Sequence, residues 1–283
     1  MNGRERIADD DRAVAPAITC VVLLAGVAVL WTVTRHGVPG IDSWLHRVVL
    51  ERRGATSLRI ARAATQGGST RVVWPLLALA TLIHPRGRDR RGLLAALAFT
   101  AAVGAGIGVR LALSLLAARP RPATVDWAST AGGYAFPSGH TTAATLGAGA
   151  LAWAVARHSG RRGVRFLAWG AAATYAAAVG WSRVWLGVHW PADVAGGWLL
   201  GAGWLAGMAW AIRRIRAGLA RRARRTGTPG TRYGTDGTLR TTRTLPTDGA
   251  QRDDQDRIGA TRSAGPDDIL NDRGHPTRER RQA

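Results

Sequence analysis

Three short segments of the 283-residue chain concentrate side chains suited to handling an anion. They are Arg119-Pro120-Arg121-Pro122, Pro137-Ser138-Gly139-His140, and Ser182-Arg183 with His189 and Asp193 downstream. Arginine offers a planar fork of donors that matches phosphate oxygens and stays charged. Backbone N–H groups at Ser138, Gly139 and His140 would open a helix, and a helix N-terminus attracts anions. Gly139 permits close backbone approach, and Pro137 pre-sets the turn. Two histidines can divide a group transfer between a neutral nucleophile and a protonated acid. The spacing alone does not say which one attacks. Only His189, however, has a carboxylate four residues on, placed to fix its tautomer and stabilise the imidazolium. Each segment by itself reads as a basic turn, a helix cap or an interfacial anchor. Together they suit phosphoryl transfer. No cofactor or metal is required, and a metal cage would have to be built from two histidines and one aspartate alone.

Long apolar stretches must position these segments. Ala17 to Thr34 is 18 residues without a charge, enough to cross a bilayer core of about 30 Å. Asp9, Asp10 and Asp11 precede it and no small-x-small cleavage site follows, which favours a retained helix over a signal peptide. Val72 to Ile83 is short, contains Pro75, and reaches full length only with Gly67 to Arg71, whose arginine can snorkel. Gly92 to Ala117 holds one charge, Arg110. Gly139 to Ala156, Val164 to Gly180 and Val194 to Ile212 complete the set. The expectation is an all-α polytopic membrane bundle of about six transmembrane helices. Gly104, Gly106 and Gly108, Gly147 and Gly149, Gly197 and Gly201, and Gly203 and Gly207 read as close helix packing. Trp181, Trp185 and Trp190 read as markers of one headgroup level. The end of the third stretch, the start of the fourth and the link from fifth to sixth share one membrane face by parity, whether or not the second crosses. All three polar segments can therefore meet.

The formal charge of +21 comes entirely from arginine; lysine is absent. His84 to Arg91 carries +3, Arg157 to Arg165 +4 and Arg213 to Arg225 +7, all on one side with both termini. The positive-inside rule makes that side cytoplasmic and the polar cluster extracytoplasmic. Arg35 to Arg71, at a net +5, runs against this; Ser43 to Ala64 within it is expected to form one amphipathic helix lying on the headgroups. Arg213 to Arg225 is matched better to anionic inner-leaflet lipid than to nucleic acid, since it adjoins the last span. Thr226 to Ala283 is rich in Thr, Gly, Asp and Arg and reads as a disordered tail. Cys20 is the single cysteine, which excludes disulfide scaffolds and zinc ribbons. The chain thus divides into a cytoplasmic segment 1–16, a six-helix domain 17–212 with its motif-bearing core at 92–212, and a basic segment and tail 213–283.

The order and spacing of the three polar segments resemble the type 2 phosphatidic acid phosphatase (PAP2) superfamily, which includes bacterial membrane lipid phosphate phosphatases. That family's pattern is Lys-x6-Arg-Pro, then Pro-Ser-Gly-His, then Ser-Arg-x5-His-x3-Asp. Pro137 to His140 completes the second motif, and Ser182-Arg183, His189 and Asp193 complete the third. The first departs: Ser114 stands where the lysine belongs. Arg110, one turn earlier on the same helical face, or Arg119 is expected to supply part of the missing charge. The resemblance implies that His189 attacks phosphorus with Asp193 orienting its ring, and that His140 protonates the leaving oxygen. Arg121, Arg183 and the Ser138–Gly139 turn would hold the phosphoryl oxygens. It further implies hydrolysis of a lipid phosphomonoester or diphosphate through a phosphohistidine, without a metal or cofactor. Phosphatidic acid, phosphatidylglycerophosphate and polyprenyl diphosphates such as undecaprenyl diphosphate are the substrate classes. The absent lysine leaves one alternative, a catalytically weak or silent membrane protein of the same fold that binds anionic lipid.

Overall fold

A computed structural model describes residues 3–35, 40–83 and 90–225. The expected disordered tail, 226–283, and most of the basic segment 84–91 lie outside the described residues. Eight α-helices follow one another: α1 Gly3–Thr34, α2 Gly40–Arg52, α3 Ala55–Gln66, α4 Thr70–Ile83, α5 Arg90–Ala117, α6 Gly139–His158, α7 Arg162–Trp185 and α8 Pro191–Arg225. A single 3-10 turn, Thr124–Asp126, interrupts the link between α5 and α6. Among the described residues there is no strand, and the chain is an all-α membrane bundle.

The six apolar stretches all become helices, with longer bounds than their apolar cores. Helix α1 starts at Gly3, α7 runs on through Arg183, and α8 carries the arginine-rich segment to Arg225. Arginine, alanine and leucine are strong helix formers, so the apolar limit marks where lipid ends rather than where the helix ends. The single amphipathic helix expected over Ser43 to Ala64 is two helices instead. The break falls at Gly54, whose N–H donates to Ser57 Oγ at 2.9 Å rather than to a helical carbonyl. Gly54 lies in an extended conformation there and starts α3.

Ala15–Thr32, Gly92–Ala117 and Pro191–Arg222 are each long and apolar enough to cross a membrane unaided, and α4 is a shorter apolar helix. Ile18, Val21, Val29, Leu111, Leu116, Phe166 and Leu167 point out of the bundle. In water so large an apolar surface would drive association, whereas in a bilayer it meets its own kind of solvent.

Helix α6 sits at the centre, in contact with α4, α5, α7 and α8. Ten of its 20 residues are buried, nearly all alanine, glycine or threonine, because four neighbours can approach one helix only across small side chains. Val73, Leu77, Phe99, Val103, Leu146 and Leu205 fill the space around it. Several glycines pack as expected: Gly106 on Trp204 and Leu146, Gly197 on Thr141, Gly201 on Thr145 and Gly203 on Leu23 and Leu24. Gly104 and Gly108 face open space and do not join this packing. The α7–α8 crossing depends on Gly180, where a Cβ would lie 2.6 Å from Trp198 Cζ2 and 2.8 Å from Val194 Cγ1. Gly180→Val is expected to cost about 1–3 kcal/mol by overpacking and to lower the detergent-solubilised Tm by several degrees; an unchanged Tm would show that this crossing has slack.

Candidate active site

The third polar segment is shaped by two helix ends. Val188 N–H donates to Arg183 O and Gly187 N–H to Val184 O, the paired bonds that close a helix when the residue past its end is left-handed. Gly187 has φ +72, and a Cβ there would collide with the carbonyl oxygen of Asp126. Only glycine fits. This turn ends α7 two residues after Arg183 and leaves His189 two residues before α8 begins at Pro191. The next helix then starts on Trp190-Pro191-Ala192-Asp193. Proline suits the first helical position, and Asp193 Oδ2 accepts the N–H of Trp190 at 2.9 Å, capping the N-terminus. The same oxygen lies 3.4 Å from His189 Nδ1.

The other carboxylate oxygen, Asp193 Oδ1, accepts from Arg119 NH1 at 2.5 Å, and Arg119 NH2 donates to Asp42 Oδ2 at 2.7 Å. Asp42 Oδ1 in turn accepts from Ala192 N at 2.9 Å. All three charged side chains are essentially inaccessible to solvent. Arg119 is therefore a structural cation that fixes Asp193, and it does not supply charge to a pocket.

The cavity itself has a volume of about 420 Å³ and is lined by Arg110, Arg121, Arg183, Gly139, His140 and His189, with Thr130, Ala131 and Gly132 at its edge. Arg121 spends all five N–H donors: on the carbonyls of Gly133, Val188, Gly132 and Tyr134, and on His189 Nε2 at 2.8 Å. Because arginine only donates, Nε2 must carry its lone pair and Nδ1 the proton that faces Asp193. Arg183 NH1 donates to Thr65 Oγ1 at 2.8 Å, while its buried Nε has no partner. Arg110 Nε donates to Pro137 O at 2.9 Å, and its guanidinium lies against Gly139, where a Cβ would come within 2.9 Å of Cζ. Gly139 is needed there for that approach.

Of the two arginines offered as replacements for the lysine, Arg110 is the one that faces the cavity. Ser114 is buried and does not line it. Ser138 also differs from expectation. It is fully buried, its N–H donates to Asp193 O at 2.9 Å, and its Oγ accepts from Thr141 Oγ1. It joins α6 to α8, which leaves Gly139 and His140 as the part of the turn that meets the cavity. Burial, then the guanidinium of Arg121 and those of Arg183 and Arg110, hold the His189 pKa well below the usual histidine range. An unfolded His189 takes up a proton near pH 6.5 and the folded one does not, so acidification through that range favours the unfolded chain. Among the described residues, no three His, Cys, Asp or Glu side chains gather as a metal site.

Residues 91–217 match the PAP2 superfamily. They form a PAP2-superfamily domain. The fold is similar to the first transmembrane PAP2-type phosphatidylglycerolphosphate phosphatase from Bacillus subtilis, with 21% identity and a TM-score of 0.58 over 67% of this chain and 94% of that one. Aquifex aeolicus LpxE is also similar, with 22% identity and a TM-score of 0.46 over 61% of this chain and 96% of that one. No curated protein matches the chain.

Several residues that support the PAP2 domain lie before it and were not singled out by sequence. Asp42 in α2 and Thr65 in α3 hold Arg119 and Arg183. His46 Nε2 pairs with Asp126 Oδ2 at 3.0 Å, and its ring packs 5.1 Å from that of Trp190. The available signal was weak: an aspartate and a histidine four residues apart on one face of a short helix. Removing one partner of a buried ion pair strands the other, so Asp42→Ala should cost about 3–5 kcal/mol. Arg110→Ala should leave the Tm nearly unchanged and weaken inorganic phosphate binding by about tenfold or more, the worth of one charge-assisted hydrogen bond. Equal losses of Tm in both variants would overturn the division between a structural and a ligand-facing arginine.

Proposed function

We propose that the chain is an integral membrane phosphatase that hydrolyses the phosphomonoester or diphosphate of a lipid through a phosphohistidine on His189. The observation that carries this reading is the Nε2 lone pair of His189, which borders a cavity walled by three arginines and is backed by Asp193.

The chemistry follows from those groups. The phosphoryl oxygens enter among Arg110, Arg121 and Arg183 and draw the Arg121 NH1 donor away from Nε2. That lone pair then attacks phosphorus, and the bond from phosphorus to the lipid oxygen breaks. His140, as imidazolium, gives its proton to the departing oxygen; a phosphate bound beside it favours that charged form. Asp193 stabilises the positive charge that develops on the His189 ring. The arginines hold the phosphoryl oxygens as charge spreads over them in the transition state. In the second half, neutral His140 takes a proton from water, whose oxygen attacks phosphorus. The phosphorus–nitrogen bond breaks, inorganic phosphate leaves, and both histidines return to their starting states. Guanidinium groups provide the charge neutralisation throughout.

The bilayer-facing apolar surface favours a substrate whose chains stay in lipid. Phosphatidic acid, phosphatidylglycerophosphate and polyprenyl diphosphates all meet that requirement, and the second is the substrate in the name of the Bacillus subtilis protein. We place both termini in the cytoplasm and the site on the extracytoplasmic face. In the positive segment that runs against this, Arg35 to Arg71, two arginines are tied to the protein's own carbonyls: half-buried Arg53 donates to Asp126 O and exposed Arg62 to Ala128 O.

His189→Ala should lower phosphate release from a panel of these lipids by more than about 1000-fold, as loss of a nucleophile does. Alkaline quench of the wild-type protein during turnover should leave a phosphoryl group on His189. Label found on His140 would reverse the two roles, and phosphate release unaffected by His189→Ala would overturn the assignment.

A further inference from the structure

The close of α3 and the turn after it, Thr65 to Gly68, lie before the PAP2-superfamily domain, yet they pack against two residues of the catalytic cavity. The turn is tightly wound. The N–H groups of Gly67, Gly68 and Ser69 donate to the carbonyls of Ala64, Thr65 and Gln66 at 3.1, 3.0 and 2.9 Å, the short 3-10 spacing that tightens a last helical turn. Two contacts fix it to the bundle. Gly68 is buried against the start of α6, where a Cβ would come within 2.6 Å of His140 Cβ and 2.7 Å of His140 O. Gly67 O accepts the hydroxyl of Tyr175, from α7, at 2.7 Å, and a Cβ on Gly67 would lie as near to the same oxygen. Both glycines serve close approach of the backbone.

The arginines of the cavity are tethered unequally. Arg121 is held by several carbonyls and Arg110 by Pro137 O. Among the described residues, Arg183 has one side-chain hydrogen bond, from NH1 to Thr65 Oγ1 at 2.8 Å, and its buried Nε has none. Burial and the like charge of Arg121 both act against a guanidinium in this place, and so long a side chain has many other rotamers to adopt. A single hydroxyl therefore decides where Arg183 points. Thr65 is itself buried and does not line the cavity, so it acts through Arg183 and not on the anion.

We propose that the Thr65–Gly68 turn is a positioning element of the phosphoryl site, in which the Thr65 hydroxyl aims the Arg183 guanidinium at the phosphoryl oxygens. Tyr175 and the Gly68–His140 contact hold the turn at the height where that bond can form. This rests on the phosphatase reading for the identity of the anion. It makes α3 and the turn before α4 part of the phosphate site, although they stand outside the residues that carry the PAP2 motifs.

Titration calorimetry of the full chain in detergent with inorganic phosphate tests it, alongside phosphate release from lipid phosphates. The binding readout needs no turnover, so a failure of the positioning role and a failure of the hydrolysis reading are seen in different measurements. Thr65→Val keeps the shape of the side chain and should weaken phosphate binding by roughly tenfold, the worth of one charge-assisted hydrogen bond. Thr65→Ser should restore it. Tyr175→Phe, which frees the turn without touching Arg183, should give a smaller loss. In an Arg183→Gln background, Thr65→Val should cause no further loss, because both act through one guanidinium. Thr81→Val, which removes a hydroxyl from the contact with Thr100 between α4 and α5, should bind phosphate as the wild type does. A lowered Tm with phosphate affinity unchanged in Thr65→Val or Tyr175→Phe would show a turn that only packs. Losses that add in the Thr65→Val, Arg183→Gln double variant would show that Thr65 acts by another route. Failure of Thr65→Ser to restore binding, or an equal loss in Thr81→Val, would remove the hydroxyl from the explanation. Each of these results overturns the proposal.

Discussion

One guanidinium, that of Arg119, fixes the geometry on which the site depends. It leaves the end of α5 and joins Asp42 of α2 to Asp193 of α8 at 2.7 and 2.5 Å. Each of these charges would be costly to bury alone; held together, with Ala192 N–H and Trp190 N–H completing the carboxylates, they become tolerable. The result is a carboxylate with no rotational freedom. Asp193 can present Oδ2 to His189 only because Oδ1 is already committed. Trp190 covers the assembly, its ring 5.9 Å from the Arg119 guanidinium carbon.

Around that anchor the chain is aimed by backbone rather than by side-chain packing. A left-handed glycine stops α7, a proline starts α8, and His189 lies in the short span between them, with little freedom to move. The link from α5 to α6 is fixed in the same manner, since Arg121 gathers three of its carbonyls and that of Val188 into one fork. An arginine so fully occupied is preorganised. In the reaction we propose, a phosphoryl group entering the cavity would exchange one set of acceptors for another with no flexible side chain to order, which is where electrostatic preorganisation obtains its advantage.

The bilayer sets the remaining terms. With lipid outside, burial of large apolar side chains is not what holds the helices together, and close approach through small residues takes its place. Helix α6 shows the consequence: its alanines, glycines and threonines admit four neighbours. Glycines that lack a neighbour, Gly104 and Gly108, show that composition alone does not say which small residues are contacts.

Much of this was legible before any coordinates. Long uncharged stretches can only be membrane helices, parity puts the polar segments on one face, and residue types with the spacing of His189 and Asp193 specify an imidazole backed by a carboxylate. The partnership of those segments with α2 and α3 was not legible, because a polar residue on an amphipathic helix reads as solvent-facing until a partner desolvates it. Asp42 and Arg119 are 77 residues apart, and no local pattern connects them. For the same reason Arg119 and Arg110 looked interchangeable as replacements for the absent lysine, and Ser138 looked like a phosphate-binding amide. What the sequence determined by itself is the set of helices and the chemistry available at one end of them. Which arginines belong to the fold and which face the ligand was decided only by tertiary structure, because a guanidinium's role is set by the groups that surround it, and those come from distant parts of the chain.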